Sequence, residues 1–264
     1  MTTTAHPRGA DAGRVTIGGV LRSEWRKLFG LRSTWWLLGV GLVLPTVFAA
    51  AQTVNRGPES APQGVFDAAT QSSGASLFSV FIIAIVLGTL TSTTEFETRS
   101  ITVTMAAVPS RIPVVLAKAG VVFVVGIMLG FVAALIAYVV GVALRGDEAL
   151  IVDGYAFRAL AGIAFYEGCI AAIAVSIGFL VRSTIGSIAV TFAFLFIAPS
   201  IISIIPIGVV QLFADTIPGT SASPLYSAEP DPGGFGVVGA AFCVAAWTIV
   251  AVAVAGLATR RRDI

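Results

Sequence analysis

The chain has 264 residues, of which 56% are apolar and 11% charged, and its formal net charge is +2. Its mean hydropathy of +0.95 is too high for a water-soluble globule of this length, so we expect lipid to be its main solvent. This composition leaves no room for a soluble catalytic domain, and the absence of a basic stripe argues against nucleic-acid binding.

The N-terminal part of the chain predicts a tail and then an amphipathic helix. Residues 1–14 are predicted to be a flexible cytoplasmic tail. In the segment of about 16–31, apolar residues recur at helical spacing, at Ile17, Val20, Leu21, Trp25, Leu28 and Phe29. Arg22, Arg26 and Lys27 occupy the other side, which is typical of a helix in the membrane plane, although a plain topological anchor shows the same pattern.

Six apolar stretches are each long enough to cross a bilayer as a helix. They run over 34–54, 76–94, 119–144, 159–181, 183–214 and 232–259. A hydrocarbon core about 30 Å thick needs about 20 residues, and in lipid only a helix satisfies every backbone group within one segment. We therefore predict an all-α polytopic membrane protein in which residues 15–264 form a single six-span domain.

The fifth apolar stretch is too long for one upright crossing. Pro199 and Pro206 remove backbone donors within it, and the hydroxyls of Ser200 and Ser203 can bond to the freed carbonyls. The stretch predicts a kinked crossing followed by an external interfacial or re-entrant piece.

The distribution of cations predicts the orientation. With the N-terminus inside, only Arg56, Arg145 and Arg158 of the 16 Lys and Arg residues fall on the outer side. Cytoplasmic loops retain an excess of Lys and Arg, so both termini are predicted to be cytoplasmic.

The connection between the second and third spans, about 95–115, is longer than a hairpin requires. Glu95, Arg99 and Arg111 lie near its ends, and Pro109 would stop a short helix inside it. We predict a short cytoplasmic coupling helix, because a push on such a helix would move both attached spans. An ordinary solvated loop is the alternative.

Two features inside the spans invite an interpretation. Gly126 and Gly130 have the spacing that lets another helix approach closely, and we interpret them as internal packing rather than as a dimer face. Glu167 carries the one charge within the six stretches, at a cost of about 2.5–3.5 kcal/mol. Together with Tyr166 it is a candidate substrate or proton contact in a central cavity, and a hydrogen-bonded packing residue is the alternative.

Several chemistries find no support in the sequence. The two cysteines lie within the apolar stretches, and together with the single histidine they show no metal-ligand spacing. No set of residues resembles a catalytic triad or a carboxylate pair. No Gly-x-x-x-x-Gly-Lys-Ser/Thr loop is present, so ATP is not expected to bind this chain in the usual way. We predict no catalytic residue, no metal site and no cofactor.

Three segments resemble permease subunits of type-2 ATP-binding-cassette exporters, particularly actinobacterial ones. The first reads LRSEWRKL over 21–28 and LRSTWW over 31–36. The second reads EFETRSI over 95–101 and AAVPSR over 106–111, and the third reads VRSTIG over 181–186. Their order and spacing fit the family over nearly the whole chain.

The resemblance implies a permease subunit in a bacterial plasma membrane, not an enzyme. It would act with a cytoplasmic ATPase subunit that holds ATP and Mg, with a second permease, the same or different, and with membrane lipids. Its substrate would be a lipophilic or amphipathic compound moved outward. The implied ATPase contacts are Glu24, Arg26, Lys27, Glu95, Arg99, Ser100 and Arg111. The alternatives are an ion-gradient-driven secondary transporter and a membrane scaffold without transport.

Overall fold

The computed structural model describes residues 16–55, 65–98, 112–145, 154–227 and 235–261. Every regular element in these ranges is helical, which confirms the all-α prediction. The predicted tail and the predicted helix between the second and third spans lie outside the described residues.

The helices follow one another in a simple order. They are α1 (Ile17–Gly30), α2 (Arg32–Asn55), α3 (Val65–Glu97), α4 (Ile112–Arg145), α5 (Gly154–Val181), α6 (Thr184–Phe192), a π-helical turn (Ala193–Ile197), α7 (Ala198–Ile202), α8 (Gly208–Thr216), α9 (Pro218–Ser221), α10 (Ser223–Tyr226) and α11 (Gly236–Arg261).

Within the described ranges, six helical segments are long and apolar enough to cross a membrane, as the sequence predicts. They are Arg32–Ala51, Val80–Glu97, Ile112–Leu144, Ala156–Val181, Thr184–Ile202 and Gly236–Arg261. The third differs from its prediction, because α4 begins at Ile112 rather than at residue 119. Lys118 therefore lies inside the helix, where ion pairs with other helices compensate its charge.

Helix α5 is the centre of the bundle, and glycines let its neighbours approach it. In its apolar window 89% of the residues are buried, against 11% for α11. A Cβ added at Gly130 of α4 would lie 2.6 Å from Cγ of Glu167, and one added at Gly126 would lie 2.9 Å from Cα of Gly168. The Gly126 and Gly130 pair thus packs α4 against α5, which confirms the prediction of internal packing.

The fifth span is interrupted as its prolines predict. The π-helical turn lies just before Pro199, and within it the amide of Ala198 donates to the carbonyl of Ala193. The hydroxyl of Ser200 donates to the carbonyl of Phe196 at 2.9 Å. The following chain folds back onto the span, because Gly219 lies against the carbonyl of Leu195. The interfacial or re-entrant placement of this piece relative to the membrane stays a prediction.

Helix α1 forms as predicted, but its faces are divided differently. The hydroxyl of Thr16 caps its first turn, and one stripe, Val20, Glu24 and Leu28, is buried against the bundle. Val20 packs on the start of α4, and Leu28 packs on α3 and α4. The assignment of Val20 and Leu28 to the lipid face is therefore wrong, because Glu24 between them is held inward by ion pairs. Ile17, Leu21 and Trp25 remain exposed.

Candidate coupling site

The described ends of several helices meet at one end of the bundle, which we call the α1 end. Helix α1, the last turn of α3, the first turns of α4, the end of α5 and the start of α6 all lie there. Contacts across this end join α1 to α4 through Glu24 and Lys118, and α3 to α6 through Glu97 and Thr184.

Four charged residues form one ion-pair network at the α1 end. Nζ of Lys118 donates to Oε2 of Glu24 at 2.5 Å and to Oε1 of Glu95 at 2.9 Å. Nζ of Lys27 donates to Oε1 of Glu24 at 2.7 Å and to Oε1 of Glu95 at 3.0 Å. The network, Glu24, Lys27, Glu95 and Lys118, ties α1 to both arms of the connection between the second and third spans.

Three of the four members of the network, Glu24, Glu95 and Lys118, are buried, and its charges balance two against two. The side chains of Glu24 and Lys118 are each 3% exposed, whereas that of Lys27 is 42% exposed. Removing a buried ion from water is costly unless a partner in good geometry compensates it. Each ammonium here contacts two carboxylates, so Lys118 can lie inside a long apolar helix.

Ion pairing within the network changes the pKa values of Glu24 and Lys27. Burial disfavours the charged form of Glu24, but the ammonium groups of Lys118 and Lys27 outweigh that effect and lower the pKa of Glu24. Burial likewise opposes the charge of Lys27, but hydrogen bonds to Glu24 and Glu95 raise the pKa of Lys27. Both residues therefore remain ionised at neutral pH.

The last turn of α3 also contacts α5 and α6. The Phe96 ring packs edge-on against Phe179 with the centroids 5.8 Å apart, and the Arg182 guanidinium lies 5.3 Å from the Phe96 centroid. Oε1 of Glu97 accepts a hydrogen bond from the Thr184 hydroxyl at 2.6 Å. Arg182 has a φ of 61°, a left-handed conformation that is unusual for a residue with a Cβ. A load on this turn would therefore reach most of the bundle.

A cavity of about 640 Å³ lies beside the network, between α1, α2, α3 and α4. Its lining includes Arg26 and Lys27 from α1, Thr94 and Glu95 from α3, and Thr98 directly after α3. Arg26 is exposed. A second cavity of about 550 Å³ lies between α4, α5 and α11 and is almost wholly apolar.

The structure brings together part of the predicted contact set. Glu24, Lys27 and Glu95 meet in the network, and Arg26 lies next to them at the cavity. The remaining members, Arg99, Ser100 and Arg111, lie outside the described residues. Sequence reasoning assigned no role to Lys118, although a lone ammonium between Ala117 and Ala119 in an apolar helix signals that a carboxylate must lie nearby.

Tyr166 and Glu167 lie elsewhere, in the middle of α5. Glu167 is fully buried, about 21 Å along the axis from the end of α5, and neither carboxylate oxygen has a hydrogen-bond partner among the described residues. Tyr166 packs edge-on against Phe81, with the ring centroids 4.9 Å apart. Neither residue lines either of the two large cavities, and Glu167 packs against Gly130 of α4.

Comparison with known proteins identifies the family. A search of curated proteins found no match. Residues 20–200 match the family described as ABC-2 family transporter protein, and this range contains the whole network and runs from α1 into α7. The match covers well over half of the chain, so the protein belongs to the ABC-2 family, as a permease subunit of an ATP-binding-cassette transporter.

Proposed function

We propose that this chain is the permease of an ATP-driven exporter and that a separate cytoplasmic ATPase subunit docks on its α1 end. The observation that carries the proposal is the ion-pair network. It joins the two elements that the sequence predicts as ATPase contacts, α1 and the connection between the second and third spans, at one end of the bundle. A force applied there would act on α1, α3 and α4 together.

The proposed orientation of the protein in the membrane rests on the positions of the exposed cations. With the α1 end in the cytoplasm, α1 places its exposed Arg22 and Arg26 on the inner side, as the positive-inside rule requires. The exposed Ile17, Leu21 and Trp25 would then rest in the inner headgroup region. Helix α1 would thus face lipid, the bundle and the cytoplasm along three separate sides.

Burial divides the predicted ATPase contacts into two groups. The exposed Arg26 and the half-exposed Lys27 are available to a partner, and Arg99, Ser100 and Arg111 stay predicted contacts. Glu24 and Glu95 face Lys118 and Lys27 instead. We assign these two carboxylates to holding the docking elements in place rather than to touching the ATPase.

We further propose a second permease, the same or different, and an outward path for lipophilic or amphipathic compounds. Wide apolar surfaces support a lipid or permease neighbour, since Val238 and Phe242 of α11 and Ile185 of α6 are largely exposed. Tyr166 and Glu167 remain proposed substrate contacts, which would require α4 and α5 to separate during transport.

Charge reversal on α1 tests the docking surface. We expect Arg22→Glu with Arg26→Glu to reduce the ATPase that co-purifies with the tagged chain at least about tenfold, because like charges that meet at an interface cost several kcal/mol. The matched control reverses Arg260 and Arg261, exposed cations at the end of α11. Equal recovery of the ATPase with both variants would refute docking through α1. Co-purification that depends on α1 would also place the α1 end in the cytoplasm.

A further inference from the structure

The network contains one residue that belongs to neither predicted contact element, Lys118 of α4. Its ammonium lies between Glu24 of α1 and Glu95 of α3, and its side chain is almost fully buried. This ammonium links α4 to both α1 and α3 through its ion pairs with these two carboxylates. Lys27 bonds the same two carboxylates, but it belongs to α1 itself and its side chain is 42% exposed.

We propose that Lys118 and Glu95 are positioning residues that fix α1 to the arms of the connection between the second and third spans, so that movement of this connection carries α1 with it. This inference rests on the proposed function, since it describes how a load from the ATPase would spread through the permease. Neither residue would need to contact the ATPase or the substrate.

The reason lies in the difference between ionic and apolar contacts. Val20 packs on Val114 and Ala117 through apolar groups, and apolar contact alone allows small sliding between helices. A buried ammonium cannot slide from its carboxylates without leaving an uncompensated charge. The network therefore fixes one position of α1 on α3 and α4.

One double variant removes the ion pairs between α1 and the two arms and keeps the charges of the network balanced. In Glu95→Met with Lys118→Met, one carboxylate and one ammonium are lost together with the acceptor that Lys27 uses on α3, and the pair of Glu24 and Lys27 inside α1 is retained. No unpaired buried charge remains, so the fold is expected to survive. The ionic link between α1 and the two arms is gone.

Two measurements test the inference on the full chain in lipid nanodiscs. The first is amide hydrogen exchange of α1 in the permease alone, and we expect faster exchange in the double variant. The second is ATP turnover with a saturating amount of the co-purifying ATPase, so that docking affinity does not limit the result. We expect stimulation by the permease to fall about fivefold or more, within the range of known coupling energies.

The control is Glu97→Gln, which removes the same charge two residues from Glu95. A glutamine keeps an oxygen that can accept the hydrogen bond from Thr184, and Glu97 is not part of the network. We expect this variant to match the wild type in α1 exchange, because it leaves all four members of the network unchanged.

The outcomes separate the two proposals. Wild-type permease that gives no stimulation of ATP turnover refutes the proposed function itself. Wild-type stimulation that the double variant retains, or loses while α1 exchange stays unchanged, refutes the positioning role of Lys118 and Glu95. Should the double variant fail to fold, α1 exchange of Glu95→Gln alone is measured against that of Glu97→Gln. Equal exchange in the two refutes the role of Glu95, and with it the proposal that Glu95 and Lys118 act together.

Discussion

At the residue scale, two ionisable groups are buried in the bundle under opposite conditions. Lys118 lies between two carboxylates, whereas neither oxygen of Glu167 has a partner among the described residues. Both charges are visible in the sequence, but their surroundings are not. Lys118 meets Glu24 across 94 positions of the chain and Lys27 meets Glu95 across 68, separations that no local pattern predicts. The family resemblance implies Glu24 and Glu95 as ATPase contacts, and it gives no sign of their pairing with lysines of this chain.

Replacement of Glu167 tests whether the carboxyl serves transport. Glu167→Gln keeps the shape of the side chain and removes its capacity to ionise, so we expect a change of stability below about 1.5 kcal/mol together with altered transport. Stability is measured by thermal unfolding in nanodiscs, and transport over a compound panel in liposomes containing the complex. Ser176→Ala on the same helix is the control, because its buried hydroxyl donates to the Ala172 carbonyl of its own helix. Unchanged transport of every compound would remove Glu167 from the site.

At the element scale, close helix crossings depend on glycines of α3, α4 and α5. The spans are so uniformly apolar that hydrophobic periodicity does not show which side of each helix faces the bundle. The spacing of Gly126 and Gly130 did predict one packed face correctly. The crossing of α3 on α5 was not predicted, since it depends on single glycines, Gly88 and Gly178, whose neighbours become visible only in the fold.

A pair of glycine substitutions tests the crossing of α3 on α5. A Cβ at Gly88 would meet the carbonyl of Ala171 and would lie 2.8 Å from Cβ of Ala174, so Gly88→Ala is expected to destabilise the protein by about 1–3 kcal/mol. A Cβ at Gly39 of α2 would meet no atom within 4 Å, so Gly39→Ala is expected to be neutral or stabilising by up to about 1 kcal/mol. Thermal unfolding of both variants in nanodiscs is the measurement. Equal shifts for the two would contradict this crossing.

At the scale of the whole molecule, composition was sufficient to predict six helical crossings, because lipid leaves a chain few ways to satisfy its backbone. The family followed from three short segments in the right order, and the match over residues 20–200 confirms it. The joint between α1 and the two arms could not be predicted, because the partners of Lys118 are distant in the chain, Glu24 by 94 positions. The fold thus joins α1, the end of α3 and the start of α4 through one ion-pair network at one end of the bundle.

The central claim is that this chain moves its cargo with energy supplied by a separate subunit docked on the α1 end. The most direct test is ATP hydrolysis in liposomes, measured for the co-purifying ATPase with and without this chain. We expect turnover to rise when the permease is present and this rise to be lost in Arg22→Glu with Arg26→Glu. Turnover that is the same with and without the permease, or transport by this chain alone under an ion gradient, would contradict this claim.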